Sequence, residues 1–188
     1  MIAGIDEAGR GALAGPVVSA LVIFHPSVNP SSFKDSKILS KKQRLAYYTD
    51  LKKSQSIIIF SIINNRIIDQ INILQATLKS MANCINQLPI KPSNIIIDGS
   101  ITPKNTKYIA QSCIKGDQKI AEISAASIIA KVIRDSIMSK YQRRFYPKFQ
   151  FSIHKGYGTP QHYNEINHTG ITPIHRQSFN LHQQLPLF

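Results

Sequence analysis

Tryptophan is absent from this sequence and cysteine occurs only twice, at Cys84 and Cys113. The two cysteines are far apart, form no C-x-x-C pair and sit in apolar-patterned segments. That argues against a disulfide scaffold or a cysteine zinc site, and two buried free thiols are expected. Long apolar runs are missing too: stretches such as Ile57 to Phe60 fall far short of the ~20 residues a membrane-spanning helix needs, so no membrane partner is expected. A basic-then-apolar leader is not found, because Asp6, Glu7 and Arg10 interrupt the only candidate, and a cytoplasmic location is expected. Acids are scarce: 10 Asp and Glu stand against 23 Lys and Arg, a formal charge of +13. That surplus suits an anionic partner, nucleic acid or an anionic surface, although a merely basic soluble protein would share it. Where the few acids fall therefore becomes informative.

With 188 residues the chain is long enough for one buried α/β core and short for two. Ile2 to Asp6 and the β-branched run Val17 to Phe24 read as strands joined by a glycine-rich turn. His25 to Ser36 reads as a loop, after which Ser40 caps a helix over Lys41 to Lys53. Ser56 to Ile63 reads as a buried strand. Ile67, Ile68, Ile71, Leu74, Leu78, Met81 and Ile85 recur at three- and four-residue spacing, which predicts one long amphipathic helix over Arg66 to Leu88. Strands are expected at Asn94 to Asp98 and Tyr108 to Lys115, then a helix from Ile120 to about Tyr141. A Gly, Pro, His and Tyr-rich tail follows, with one helix near Pro160 to Asn167. Alternating strands and helices predict an α/β sheet with helices on its faces.

Asp6 and Glu7 are read as terminating the first strand, and Asp98 ends another apolar strand in the same way. Neighbouring strands would bring these acids together. Clustered carboxylates repel one another unless a cation neutralises them, and oxygen ligands favour Mg2+ or Mn2+ over zinc. Two such ions ~3.5–4 Å apart can activate water and stabilise the leaving oxygen of a phosphodiester. A metal-dependent nuclease is the expectation; a non-enzymatic basic module that binds nucleic acid is the competing one. The turn Gly9-Arg10-Gly11-Ala12-Leu13-Ala14 fits the dinucleotide-binding fingerprint, but a strand rather than a helix follows it, which rejects that reading. Its glycines either let backbone approach a ligand, with Arg10 beside a phosphate, or serve a tight turn needing positive φ. His154 and His162 lack a usual zinc spacing.

The segment GIDEAGRGALAGPV at 4 to 17 resembles the opening signature of ribonuclease HII. The resemblance continues through DSK at 35 to 37, IIIDG at 95 to 99, KGD at 115 to 117, ISAASIIAKVIRD at 123 to 135 and HKGYGTPQH at 154 to 162. It implies a ribonuclease H-like mixed sheet flanked by helices, with a small C-terminal helical and loop extension, over residues 1–180. The implied activity is cleavage of the RNA strand of RNA/DNA hybrids and on the 5′ side of ribonucleotides in duplex DNA, with two Mn2+ or Mg2+ ions. The implied catalytic and metal-binding acids are Asp6, Glu7, Asp98 and Asp117, leaving Asp135 as a helix-surface partner for Lys131. It further implies that the Gly9-Arg10-Gly11 backbone reads the 2′-hydroxyl, that Tyr157 packs on the following sugar, and that Lys37 and Lys131 contact phosphates. The tail 181–188 ends in Gln184-Leu185-Pro186-Leu187-Phe188, which resembles a sliding-clamp-binding motif. Clamp binding through Gln184, Leu185, Leu187 and Phe188, and packing of these side chains back onto the domain, both stay open. A monomer is expected.

Overall fold

The structure is a computed structural model that describes residues 1–33 and 39–182. Five strands, β1 (Ile2–Ala8), β2 (Val17–Ile23), β3 (Ile57–Ile63), β4 (Asn94–Asp98) and β5 (Gln111–Cys113), form one sheet in the order β3-β2-β1-β4-β5. β1 pairs antiparallel with β2 and parallel with β4. β3 extends the antiparallel side and β5 the parallel side. Five helices accompany the sheet: α1 (Lys41–Lys53), α2 (Asn65–Asn86), α3 (Ala121–Arg144), α4 (Phe151–His154) and α5 (Pro160–Thr169).

Side chains alternate across a strand, so each sheet face buries its own set. Ala3, Ile5, Leu21, Ile23, Ile95 and Ile97 pack against Met81, Cys84 and Ile85 of α2 and Leu88 just beyond its end. Val18, Ala20 and Val22 pack against Ala125, Ala126, Ile129 and Ala130 of α3 on the other face. Each fully buried Ile or Leu contributes about 1.5–3 kcal/mol. Small residues let α3 lie close to β1: a Cβ on Gly4 would collide with backbone of Glu122 and Ile123. A third cluster, Leu13, Ala14, Met138, Phe149, Phe151, Ile166 and Ile174, binds the C-terminal segment to the β1–β2 turn.

Several boundaries differ from expectation. β1 runs on to Ala8, so Asp6 and Glu7 lie inside the strand rather than terminating it. The long helix is broken at Asn72, which takes φ 64° and ψ 167° while its Oδ1 accepts from Gln75 N at 3.1 Å, restarting the helix with a fresh N-cap. β5 is confined to three residues because Ile109 is 92% exposed and Lys115 enters the left-handed region at φ 55°. Helix α4 was not expected. Cys84 is fully buried, and burial pushes its thiol pKa up to about 12, but Cys113 is only half-buried on edge strand β5. Among the described residues, no helix is long and apolar enough to cross a membrane.

Candidate active site

In the parallel β1–β4 ladder Ile5 faces Ile97, so the next residues, Asp6 and Asp98, fall at the same level of adjacent strands. Ile5 and Ile97 both face α2; strand alternation therefore turns Asp6 and Asp98 to the α3 side, where the Ser127 hydroxyl reaches Asp6. Asp98 Oδ1 accepts the Gly116 N–H at 2.7 Å. That bond brings the 3-10 turn Gly116–Gln118 to the end of β4, and with it Asp117, 6% exposed. The four expected acids thus come from three segments converging on one end of the sheet.

Burial, then the neighbouring Glu7 and more weakly Asp98, hold the Asp6 carboxyl well above the usual range; the Glu7 N–H, 2.7 Å from Oδ1, and Ser127 act the other way. Burial also raises Glu7, against the pull of Arg10, whose Nη1 lies 3.4 Å from Oε1. Two carboxyls with little opposing charge suit a cation, and an all-oxygen donor set suits a hard one. Among the described residues, no three His, Cys, Asp or Glu side chains form a closed metal-holding group. The residues fit Mg2+-type binding, in which one or two carboxylates share the ion with water and substrate oxygens instead of caging it.

The connection from β1 to β2 is gripped from within. Arg176, fully buried, donates from Nη2 to Gly9 O (2.7 Å), from Nη1 to Arg10 O (2.8 Å) and from Nε to Gly15 O (3.0 Å). Arg134, also buried, donates to the carbonyls of Pro16 (3.0 Å), Ala14 (3.0 Å) and Lys155 (2.9 Å). Burial lowers both guanidinium groups, Arg176 to about 9 with Arg134 as the second cause, which leaves Arg176 cationic at neutral pH. The two glycines of the turn differ. Gly9 takes φ 100° and a Cβ there would meet the Arg134 side chain, whereas Gly11 is exposed and a Cβ there would meet nothing within 4 Å. The fold therefore explains Gly9 and leaves Gly11 free for close approach of a ligand.

Tyr157 is bridged to Ala12 of this turn, and its ring lies over the Arg134 guanidinium at 5.1 Å. Its carbonyl sits 2.9 Å from His162 Nδ1. His154, His162 and His175 are buried and linked. The Thr172 N–H donates to His175 Nδ1 (2.8 Å), so His175 Nε2–H donates to His162 Nε2 (3.0 Å) and His162 Nδ1–H to Tyr157 O. The Gly156 N–H donates to His154 Nδ1 (3.1 Å), and His154 Nε2 reaches Glu165 at 2.9 Å. Burial takes His162 down to about 3 and His175 to about 4, so both rings are neutral at neutral pH, and burial lowers His154 against the pull of Glu165. Sequence reasoning assigned no ligand role to His154 and His162 and missed that they prop the Tyr157 loop. It also missed Arg134 and Arg176. Arg134 had a signal, a cation in register with Ala130 and Met138 on the buried stripe of α3; Arg176, in irregular chain, had none.

Lys131 is 3.4 Å from Asp135, the helix-surface pair expected, with its side chain 40% exposed. Lys37 and the tail residues Gln184, Leu185, Leu187 and Phe188 lie outside the described residues.

A mixed sheet whose central parallel pair carries acids at one level, flanked by helices on both faces, defines a nuclease of the ribonuclease H-like α/β class. The family model described as "Ribonuclease HII" matches residues 3–182. A ribonuclease HII of Coxiella burnetii is 46% identical over 188 residues, covering all of this chain and 92% of that protein. Ribonuclease H2 from Pyrococcus horikoshii superposes with a TM-score of 0.78 at 28% identity, covering 96% of this chain and 94% of that one. The ribonuclease HII in a PCNA complex from Archaeoglobus fulgidus superposes at 0.79 with 25% identity, covering 99% and 98%. The chain belongs to the ribonuclease HII family.

Proposed function

We propose that this nuclease hydrolyses the RNA strand of RNA/DNA hybrids and the phosphodiester on the 5′ side of a ribonucleotide in duplex DNA, leaving 5′-phosphate and 3′-hydroxyl ends. The observation that carries this reading is the level pairing of Asp6 with Asp98 on adjacent strands, beside a turn whose Gly11 has open space where a side chain would be. Asp6, Glu7, Asp98 and Asp117 would hold two divalent cations, Mg2+ or Mn2+, which when bound activate water and stabilise the leaving oxygen. The turn Gly9-Arg10-Gly11 presents backbone to the ribose 2′-hydroxyl, Arg10 faces a phosphate, and Tyr157 packs on the following sugar. Lys131 and Lys37 add phosphate contacts on a chain of net charge +13. The PCNA complex of the Archaeoglobus fulgidus relative favours a clamp partner for the C-terminal residues Gln184 to Phe188.

Asp98→Asn tests the reading directly. The amide oxygen can still accept the Gly116 N–H, so the fold persists while one ligand charge disappears. Duplex binding should stay close to that of the unmodified protein. Cleavage should fall by more than about 100-fold, the upper end of what outer-shell changes around a metal cost. Undiminished cleavage with Mg2+ or Mn2+ would remove Asp98 from the site.

A further inference from the structure

Arg10 and Gly11 are exposed, and among the described residues the amide N–H of neither makes a hydrogen bond. Their direction is nonetheless fixed. In a trans peptide the carbonyl and the following N–H point opposite ways, and no peptide bond described here is cis. Arg176 draws the Gly9 carbonyl inward at 2.7 Å, which turns the Arg10 N–H outward. It draws the Arg10 carbonyl inward at 2.8 Å, which does the same for Gly11 N–H. One planar guanidinium thus sets two consecutive peptide planes, a geometry that a flexible ammonium cannot reproduce. Arg134 fixes the far limb of the turn through Pro16 and Ala14, and holds the Tyr157 loop through Lys155 O and the stacked ring.

We propose that Arg176 is the positioning residue for ribose selectivity: its fork aims the Arg10 and Gly11 amides at the 2′-hydroxyl, with Arg134 locking that turn to Tyr157. The inference rests on the reading above that this turn meets the ribose. A pair of donors held from behind loses no entropy when the hydroxyl arrives, whereas a loose turn would donate to water and accept either sugar. Gly9, Ala14, Gly15, Pro16 and Lys155 are buried, so the two guanidinium groups satisfy carbonyls that solvent does not reach and hold the turn in one conformation.

The test compares Arg176→Lys with the unmodified protein on two duplexes, one with a single ribonucleotide and one all-DNA, with Mg2+, after a thermal melt verifies folding. The lysine keeps the charge and reaches one carbonyl at a time. On the ribonucleotide duplex kcat/KM should fall at least about tenfold through kcat, with KM nearly unchanged because the backbone contacts remain, while the all-DNA duplex stays uncut. Millimolar guanidinium should restore that kcat in Arg176→Ala. A folded Arg176→Lys that keeps the full kcat on the ribonucleotide duplex overturns the proposal. If neither variant folds, amide NMR of the unmodified protein decides: ribonucleotide-specific shifts at Arg10 and Gly11 are expected, and their absence overturns it. An unmodified protein that cuts both duplexes alike would instead remove the reading beneath, and this inference with it.

Discussion

Gly9 and Gly11 sit two residues apart in one turn and obey different constraints. Gly9 needs its positive φ and has the Arg134 guanidinium where a side chain would go. Gly9→Ala should therefore cost about 1–3 kcal/mol of stability, read as a lower denaturant midpoint. Gly11→Ala should leave stability within about 0.5 kcal/mol, since nothing lies within 4 Å of the added carbon. It should still lower cleavage at a single ribonucleotide at least about tenfold, because the methyl group fills the space through which backbone meets sugar. Normal cleavage by a stable Gly11→Ala would show that the substrate does not approach there. Cys84, by contrast, invites no chemical role, with its thiol raised to about 12 by burial.

The segment from α4 through α5 to Arg176 works as a support for the β1–β2 turn, and its histidines give it a pH signature. His162 and His175 titrate near 3 and 4 in the folded state against 6.5 when free. The unfolded chain therefore binds more protons between about pH 6.5 and 4, and stability falls as pH drops through that window. Asp6 and Glu7, raised by burial, act in the opposite sense, and His154 and Glu165 share the cluster. The informative comparison is one of slopes: His175→Asn should lose less stability than the unmodified protein between pH 6.5 and 4 in urea melts. Equal slopes would mean the ring is solvated. These elements also mark the boundary of what sequence conveys. The Ser40 cap marked α1, and apolar patterning found α3 and strands β1 to β4, because these bury regular apolar sets. It ran through Asn72 because a helix that breaks and recaps keeps its apolar stripe on both sides. It overran β5 because Tyr108 and Ile109 look strand-like although only Gln111–Cys113 find a partner. Asp6, Glu7 and Asp98 were legible from the apolar strands that carry them and Asp117 only from the resemblance, while the arginines and histidines behind the turn were hidden, their contacts being over a hundred residues away in chain or in irregular segments.

Taken whole, the molecule sets a small buried acidic centre within a chain of charge +13. In the proposed function the excess positive charge would draw a polyanion to the surface, the rigid turn would inspect its sugar, and the acids at the level of Asp6 and Asp98 would address the phosphodiester. Each part has a separate consequence: salt should weaken binding of any duplex, whereas selectivity for ribose should survive moderate salt, since directed hydrogen bonds are screened less than surface charge. The measurement that bears most directly on this arrangement is incubation of the protein with Mg2+ or Mn2+ and a DNA duplex holding one ribonucleotide, beside an all-DNA duplex, with products sized and their ends determined. A single nick 5′ to the ribonucleotide, with 5′-phosphate and 3′-hydroxyl ends, no cut in the control and none in chelator, is the predicted result. Cutting of both duplexes, or of neither with either metal, would contradict it.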